Sequence, residues 1–304
     1  MRCLRPTEVH PTPDRLRRTT LAGGLVFAAA PTFTLAQAPS TPASAPSLAA
    51  DLREEIVMVK KPGVFGAELE TTLFRPPGDG PFPLIVVNHG KASGNPRFQA
   101  RSRYLVAARH LVRRGYAVVV PMRQGFSKSG GSYIGGGCNI DSNGRVQAED
   151  VVAVLAFCAA RPDIDARRTV VFGQSHGGLT TLAVGALGLP NIVGLVNFAG
   201  GLRQESCNGW ERSLADAVAS YARTTIAPTL WFYGDNDSYF TPETWQRMHA
   251  HYVAAGGRAR LVAFGSFGTD AHELFSSPSG AQVWLPEVGA LFTELGLPFA
   301  PSKA

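Results

Sequence analysis

From Ile56 onward the chain alternates short β-branched runs with longer amphipathic stretches, and this alternation constrains the fold more than any other feature of the sequence. It predicts a parallel sheet flanked by helices on both faces. Strands are expected at Ile56 to Val59, Ala67 to Phe74, Leu84 to Asn88, Ala117 to Pro121, Thr169 to Gly173, Val193 to Phe198, Thr229 to Tyr233 and Ala259 to Phe264. Uninterrupted apolar runs such as Leu84-Ile85-Val86-Val87 and Val118-Val119-Val120 suit central strands buried on both faces. The first two candidates have no helix between them and read as an antiparallel hairpin opening the sheet. Helices fit Arg97 to Arg113, Gly144 to Ala160, His176 to Gly188, Ser213 to Ala222, Pro242 to Ala255 and Ala281 to Leu295. No internal repeat is present, and one domain from about residue 55 to residue 304 accounts for every element.

The segment before this body reads differently. A basic stretch ending in Arg17-Arg18 meets the apolar run Leu21 to Ala30 and then small residues, the pattern of an export signal over residues 1–36. The adjacent arginines fit a twin-arginine signal, with Thr20 where an aromatic is usual, and the Sec route is the alternative. A cut after Ala36 is favoured because Pro39 hinders cleavage after Ala38, and residues 37–54, rich in Pro, Ser and Ala, read as a linker. The chain's net charge of +6 is partly leader, since five arginines precede residue 37 against Glu8 and Asp14. The remaining charge is scattered without a basic stripe, so nucleic acid is not an expected partner. Stable membrane insertion is not expected either, because no apolar run reaches the roughly 20 residues of a span.

Export would bring the chain to an oxidising compartment, periplasmic or extracellular, where cysteine pairs are admissible. Cys158 lies on an apolar helical pattern and reads as core, whereas Cys138 and Cys207 fall in two polar loops. A disulfide between these two is the reading adopted, with two buried free thiols as the alternative.

The strongest chemical signal is Gly173-Gln174-Ser175-His176-Gly177-Gly178, a G-x-S-x-G sequence between an expected strand and an expected helix. A serine in so tight a turn is held in a strained backbone conformation with its hydroxyl raised above the sheet, and small neighbours let the turn close. A hydroxyl is a poor nucleophile at neutral pH, so Ser175 needs a histidine base and an acid to orient it, following in the order serine, acid, histidine. Of the later histidines, His249 and His251 lie within a helical pattern and lack a third ligand for a metal, which leaves His272 beyond the last strand. For the acid, Asp237 after the strand Thr229 to Tyr233 is preferred to Asp235, which can serve the turn itself, and to Asp270. The backbone N–H of His176 would be one oxyanion donor, and that of Lys91 in His89-Gly90-Lys91-Ala92 the second, with Ala92 next. His89 reads as structural. Two long insertions, Arg123 to Asn143 and Gly200 to Trp210, follow strands and would carry specificity, with Phe126, Tyr133 and Trp210 as candidate pocket walls.

With elbow, acid loop, histidine loop and H-G loop in order, residues 55 to 297 resemble the α/β-hydrolase superfamily. Met122-Arg123-Gln124-Gly125-Phe126-Ser127-Lys128-Ser129-Gly130-Gly131 is similar to the R-G-x-G-x-S-x-G loop of dienelactone hydrolase-like proteins and related acyl peptidases, departing at Gln124 and Ser127. Dienelactone hydrolase itself carries a cysteine nucleophile where this chain has Ser175. The resemblance implies a mostly parallel eight-stranded sheet and a secreted serine hydrolase acting on a small-molecule ester, or else on an amide, without metal or organic cofactor. A non-catalytic binding protein on the same fold is the remaining alternative.

Overall fold

The computed structural model describes residues 47–63, 66–135 and 137–301, so the expected export signal over residues 1–36 lies outside the described residues. Among the described residues eight strands form one sheet: β1 (Glu55–Lys60), β2 (Glu68–Phe74), β3 (Phe82–Asn88), β4 (Ala117–Pro121), β5 (Ile164–Gln174), β6 (Ile192–Phe198), β7 (Thr229–Tyr233) and β8 (Ala259–Ala263). Their order across the sheet is β1-β2-β4-β3-β5-β6-β7-β8. β1 pairs antiparallel with β2 and β2 antiparallel with β4, and every later pair is parallel. The expected eight-stranded, mostly parallel sheet with an opening hairpin is therefore the sheet observed.

Among the described residues six α-helices cover it: α1 (Leu105–Val112), α2 (Ile140–Ala159), α3 (His176–Gly185), α4 (Trp210–Ala222), α5 (Pro242–Ala254) and α6 (Ala281–Glu294). The two-residue period of the strands sorts the core into two layers. Leu84, Val86, Val171, Trp231 and Tyr233 face one layer with residues of α2, α3, α4 and α5. Ile85, Val87, Val170, Phe172, Leu230 and Phe232 face the other, with α1 and α6. Burial on both faces is why the central strands read as continuous apolar runs rather than as alternations.

Several expectations shift: β5 begins at Ile164 rather than Thr169, α4 at Trp210 rather than Ser213, and α3 ends at Gly185 rather than Gly188. The helix expected over Arg97 to Arg113 begins only at Leu105, because Tyr104 takes a left-handed backbone (φ 45°) and the residues before it are drawn into long-range bonds. Arg101 and Arg103 both donate to Glu54, whose carboxylate is fully buried. α2 starts four residues before Gly144, at Ile140, capped by the Asn139 side chain, which accepts from Ser142 N–H at 3.0 Å. Gly144 is inside that helix and allows the Tyr221 hydroxyl to approach, since a Cβ there would stand 2.3 Å from it. The last expected linker residues are packed as well: Leu52 is buried, and Glu54 anchors the two arginines.

The pairing register aligns Asn88 of β3 with Gly173 of β5, and Gly173 with Asn197 of β6. The carboxyl ends of these strands thus form one ledge, and the loops leaving it build the site.

Candidate active site

Ser175 sits between β5 and α3 with φ 55° and ψ −127°, a conformation that costs of order 1–3 kcal/mol for a residue other than glycine. The surrounding backbone holds it there. Its N–H donates to Phe198 O (3.0 Å), and its carbonyl accepts from the N–H groups of Gly178 (2.8 Å) and Gly201 (3.0 Å). The outer glycines of the motif are required by close approach: a Cβ on Gly173 would stand 2.1 Å from Gly177 O, and one on Gly177 2.0 Å from Asn88 O. Any side chain at either position would push the elbow off the ledge.

The structure brings Asp237 and His272 together. Asp237 follows β7, and its Oδ1 accepts from the N–H groups of Tyr239 (2.8 Å) and Phe240 (2.9 Å). His272 Nδ1 lies 3.1 and 3.0 Å from the two carboxylate oxygens, so Nδ1 carries the proton and donates it to Asp237. Both side chains are buried, and the Tyr239 ring lies 4.5 Å from the imidazole, centroid to centroid. The His272 backbone is fixed at both ends, its N–H by Asp270 Oδ1 (2.9 Å) and its carbonyl by the Gln174 amide (2.7 Å). Ser175 and His272 line one cavity of about 660 Å³, and no hydrogen bond joins their side chains in this structure. Asp235 is exposed, and its N–H donates to Gly265 O at 2.9 Å, as a turn residue's would. Asp270 buckles the two loops, accepting from Ser238 N–H (3.0 Å), Ser238 Oγ–H (2.6 Å) and His272 N–H.

Around the H-G loop, Ala92 N–H is bonded to Gln99 Oε1 at 2.8 Å, while Lys91 N–H has no acceptor among the described residues. His176 is the first residue of α3, where an N–H has no partner within its own helix. Lys91, Ser175 and His176 all line a second, smaller recess of about 130 Å³. The His176 ring points away into the protein, with Nε2 2.7 Å from Asn143 Oδ1. Burial, reinforced by Arg123 and Lys91, holds its pKa well below the usual histidine value. His89 is likewise depressed, by burial and then by Arg123. His249 and His251 lie on α5, the former against the Trp231 ring and Ala259 O, the latter 3.7 Å from Asp216.

Phe126, Tyr133 and Trp210 do not line the large cavity. Phe126 is fully buried and packs edge-on against His89 (4.6 Å) and Tyr133 (5.2 Å), and Tyr133 in turn against His176 (6.0 Å). The reason is that the loop after β4 folds back on the sheet: Gly130 N–H donates to Glu68 O (2.7 Å), and Ser129 Oγ accepts from Glu70 N–H (2.9 Å). Its aromatics therefore pack beneath His89 of the H-G loop and His176. Trp210 starts α4 and packs near Phe240. The cavity walls come instead from the loop after β3, including Gln99 and Tyr104, from Leu105 at the start of α1, and from Tyr239, Glu273 and Ser276. Polar residues in a loop carry no periodic signal, which is why these were not legible. The insertion Gly200 to Trp210 does reach the small recess, through Gly201, Leu202 and Arg203.

Cys138 and Cys207 are joined by a disulfide with Cα atoms 5.3 Å apart, tying the segment before α2 to the loop after β6. Cys158 is a buried free thiol on α2.

Comparison with known proteins agrees with this geometry. The family model for X-Pro dipeptidyl-peptidase (S15 family) matches residues 66–205, a stretch that includes the H-G loop and Ser175 but neither Asp237 nor His272. No curated protein matches the sequence. A candidate dienelactone hydrolase of Klebsiella pneumoniae superposes with a TM-score of 0.57 at 20% identity, covering 79% of this chain and 99% of its own. An esterase of Pyrococcus furiosus gives 0.60 at 15%, with 84% and 96% covered. The acylaminoacyl peptidase of Pyrococcus horikoshii gives 0.60 at 15%, with 83% of this chain matched to only 43% of that longer one. The sheet order, the serine elbow and these structural likenesses together show that the chain has the α/β-hydrolase fold.

Proposed function

We propose that this chain is a serine hydrolase that cleaves carboxylic esters bearing short-chain or aromatic acyl groups. His272 Nε2 takes the proton of Ser175 as Oγ attacks the acyl carbon, and the Asp237 carboxylate holds the imidazole in the required tautomer and stabilises its charged form. The N–H groups of His176 and Lys91 receive the oxyanion. Collapse of the tetrahedral intermediate passes the His272 proton to the departing alcohol, and water repeats the sequence on the acyl-enzyme, using no metal or organic cofactor. The observation that carries this reading is the buried Asp237–His272 pair, whose histidine lines the same cavity as a serine held at positive φ. A cavity of about 660 Å³ walled by Tyr104, Leu105 and Tyr239 suits a small or aromatic ester.

An amidase or peptidase is the second reading, favoured by the match to the S15 family over residues 66–205. Secretion to the periplasm or beyond is proposed with either, supported by the Cys138–Cys207 disulfide; among the described residues no helix is long and apolar enough to cross a membrane.

The test is fluorophosphonate labelling beside Ser175→Ala, with turnover of p-nitrophenyl esters of increasing acyl length and of the matching anilides. Labelling and ester turnover that vanish in the variant are expected. Faster anilide than ester turnover would transfer the assignment to the peptidase reading, and a folded wild type that neither labels nor turns over would end both.

A further inference from the structure

The peptide joining Gly90 to Lys91 is held by side chains on every side except one. His89 Nε2 accepts from Arg123 N–H (3.1 Å), so the ring proton is on Nδ1, which donates to Gly90 O at 2.7 Å. The Gln99 amide reaches the same carbonyl through Nε2 at 3.1 Å, and its Oε1 accepts from Ala92 N–H at 2.8 Å. Because a backbone N–H can only donate, the Ala92 bond fixes which end of the Gln99 amide is oxygen. Gly90 N–H donates to the Tyr104 hydroxyl at 3.2 Å. Arg123 secures the whole from beneath, with Nη1 on His89 O at 2.7 Å and Nε on Gln147 Oε1 at 2.8 Å. Three polar groups flanking Lys91 N–H are thereby engaged, and that amide is left over.

In a trans peptide the C=O and the following N–H point in opposite directions. Two donors gripping Gly90 O therefore aim Lys91 N–H away from them, and donors on a carbonyl also polarise the amide behind it, strengthening its N–H as a donor. We infer that Gln99 and His89 are positioning residues that lock the Gly90–Lys91 peptide with its N–H directed at the oxyanion. This inference rests on the serine-hydrolase reading above. It gives a function to His89, which that mechanism does not use, and to Gln99, a residue of an irregular loop.

The experiment compares wild type with Gln99→Met, which removes both bonds of the clasp, and Gln99→Glu, which keeps the acceptor for Ala92 N–H but sets a carboxylate against Gly90 O. His89→Leu and His89→Asn form a second pair, the asparagine retaining a donor close to the imidazole Nδ1–H. Each is assayed for kcat, KM and Tm on one ester, and for affinity toward a phenylboronic acid that forms a tetrahedral adduct on the serine. Losing an oxyanion donor outright costs roughly 100- to 1000-fold in kcat, so a misaimed one should cost about 10- to 100-fold. The expected result is a loss of that size in kcat with KM nearly unchanged, a parallel loss in boronate affinity, Tm within a few degrees for the Gln99 variants, Gln99→Glu at least as impaired as Gln99→Met, and His89→Asn more active than His89→Leu. A rise in KM alone would reduce Gln99 to a cavity wall and overturn the inference, as would unchanged kcat in both Gln99 variants. A wild type without ester turnover, by contrast, would count against the hydrolase reading itself.

Discussion

The Gln174 side-chain amide donates a 2.7 Å hydrogen bond to the backbone carbonyl of His272, so the residue next to the elbow serine holds the loop that carries the histidine. The two segments are 98 residues apart, and this bond sets their distance. Both groups are buried. Gln174→Met removes the donor with little change in volume and leaves the His272 carbonyl unpaired, at a cost of about 1–3 kcal/mol. A displacement of the imidazole near 1 Å is enough to lower turnover about 100-fold. The expected outcome is a lower Tm together with a kcat loss of about 10- to 100-fold, while Gln174→Glu, which cannot donate when ionised, does no better. Steady-state kinetics beside thermal unfolding checks this, and undiminished kcat in Gln174→Met would show that the histidine loop is positioned without it.

Two carboxylates contact the His272 residue, and they do different things. Asp237 reaches the ring, whereas Asp270 reaches only the backbone N–H and Ser238. Hydrogen bonds from Ser238 and His272 hold the Asp270 carboxyl below its usual pKa against the opposing effect of burial, as expected of a structural clasp. Asp237→Asn should therefore lower kcat by about 10⁴-fold through loss of the oriented tautomer. Asp270→Asn should cost less than about tenfold in kcat and appear mainly as a fall in Tm. Equal kinetic losses in the two variants would mean that the ring's acid had been misassigned.

All eight strands are legible in the sequence because burial on one or both faces imprints a pattern on consecutive residues. Ser175 and His272 are legible because an elbow between a strand and a helix, and the chain order that follows, restrict the choices. The walls of the cavity are not. Phe126 and Tyr133 occupy an insertion at the correct edge of the sheet, but Gly130 and Ser129 bond that loop to β2, turning the aromatics inward beneath His89 and His176. The Arg97 to Tyr104 segment has the composition of a helix, yet Arg97 donates to the carbonyls of Ser127, Ser129 and Gly131, and Gln99 bonds Gly90 O and Ala92 N–H. Such bonds join residues distant in sequence and leave no period to read. The disulfide was legible for the opposite reason, since two cysteines in polar loops beside one site have few other uses.

The Cys138–Cys207 bond closes a loop with a sequence separation of 69, for which chain entropy alone corresponds to about 4 kcal/mol of stability. It also ties down the segment ahead of α2, whose Ile134 carbonyl accepts from Asn143 of α2 (2.7 Å), the residue that also bonds the His176 ring (2.7 Å). Cys158 is buried, with its thiol pushed up to about 12 by desolvation, so it adds no reactivity of its own. In a Cys3→Ser background the native protein should show no thiol reactive toward Ellman's reagent. Reduction, or Cys138→Ser with Cys207→Ser, should lower Tm by about 10 °C. Thiol titration and calorimetry read both effects. Two reactive thiols in the oxidised native protein, or an unchanged Tm on reduction, would contradict the assignment.

His89 and His176 are both buried, and desolvation, followed by the charge of Arg123, holds each pKa well below the ordinary value of 6.5. The unfolded chain therefore binds protons that the folded chain refuses whenever the pH is below about 6.5. Stability must then rise with pH through this window and fall on acidification, with a slope of up to about 2.7 kcal/mol per pH unit if both rings remain neutral in the folded state. Asp163 and Asp165, held near 2 chiefly by hydrogen bonds from Arg161 and Arg167 respectively, act with the same sign but lower down, their contribution being lost as the pH falls from about 3.8 toward 2. Urea unfolding at intervals between pH 7.5 and 5.0 therefore reads the histidines apart from these carboxylates, with His110, lowered by burial and then by Arg114 and Arg113, adding to His89 and His176 with the same sign. A steady loss of stability below pH 6.5 is the expected course, and it is also the state in which His89 can donate through Nδ1 while accepting at Nε2. Constant stability across that interval would mean that neither ring is held neutral, and the hydrogen-bond pattern around Gly90 would then need a different proton assignment.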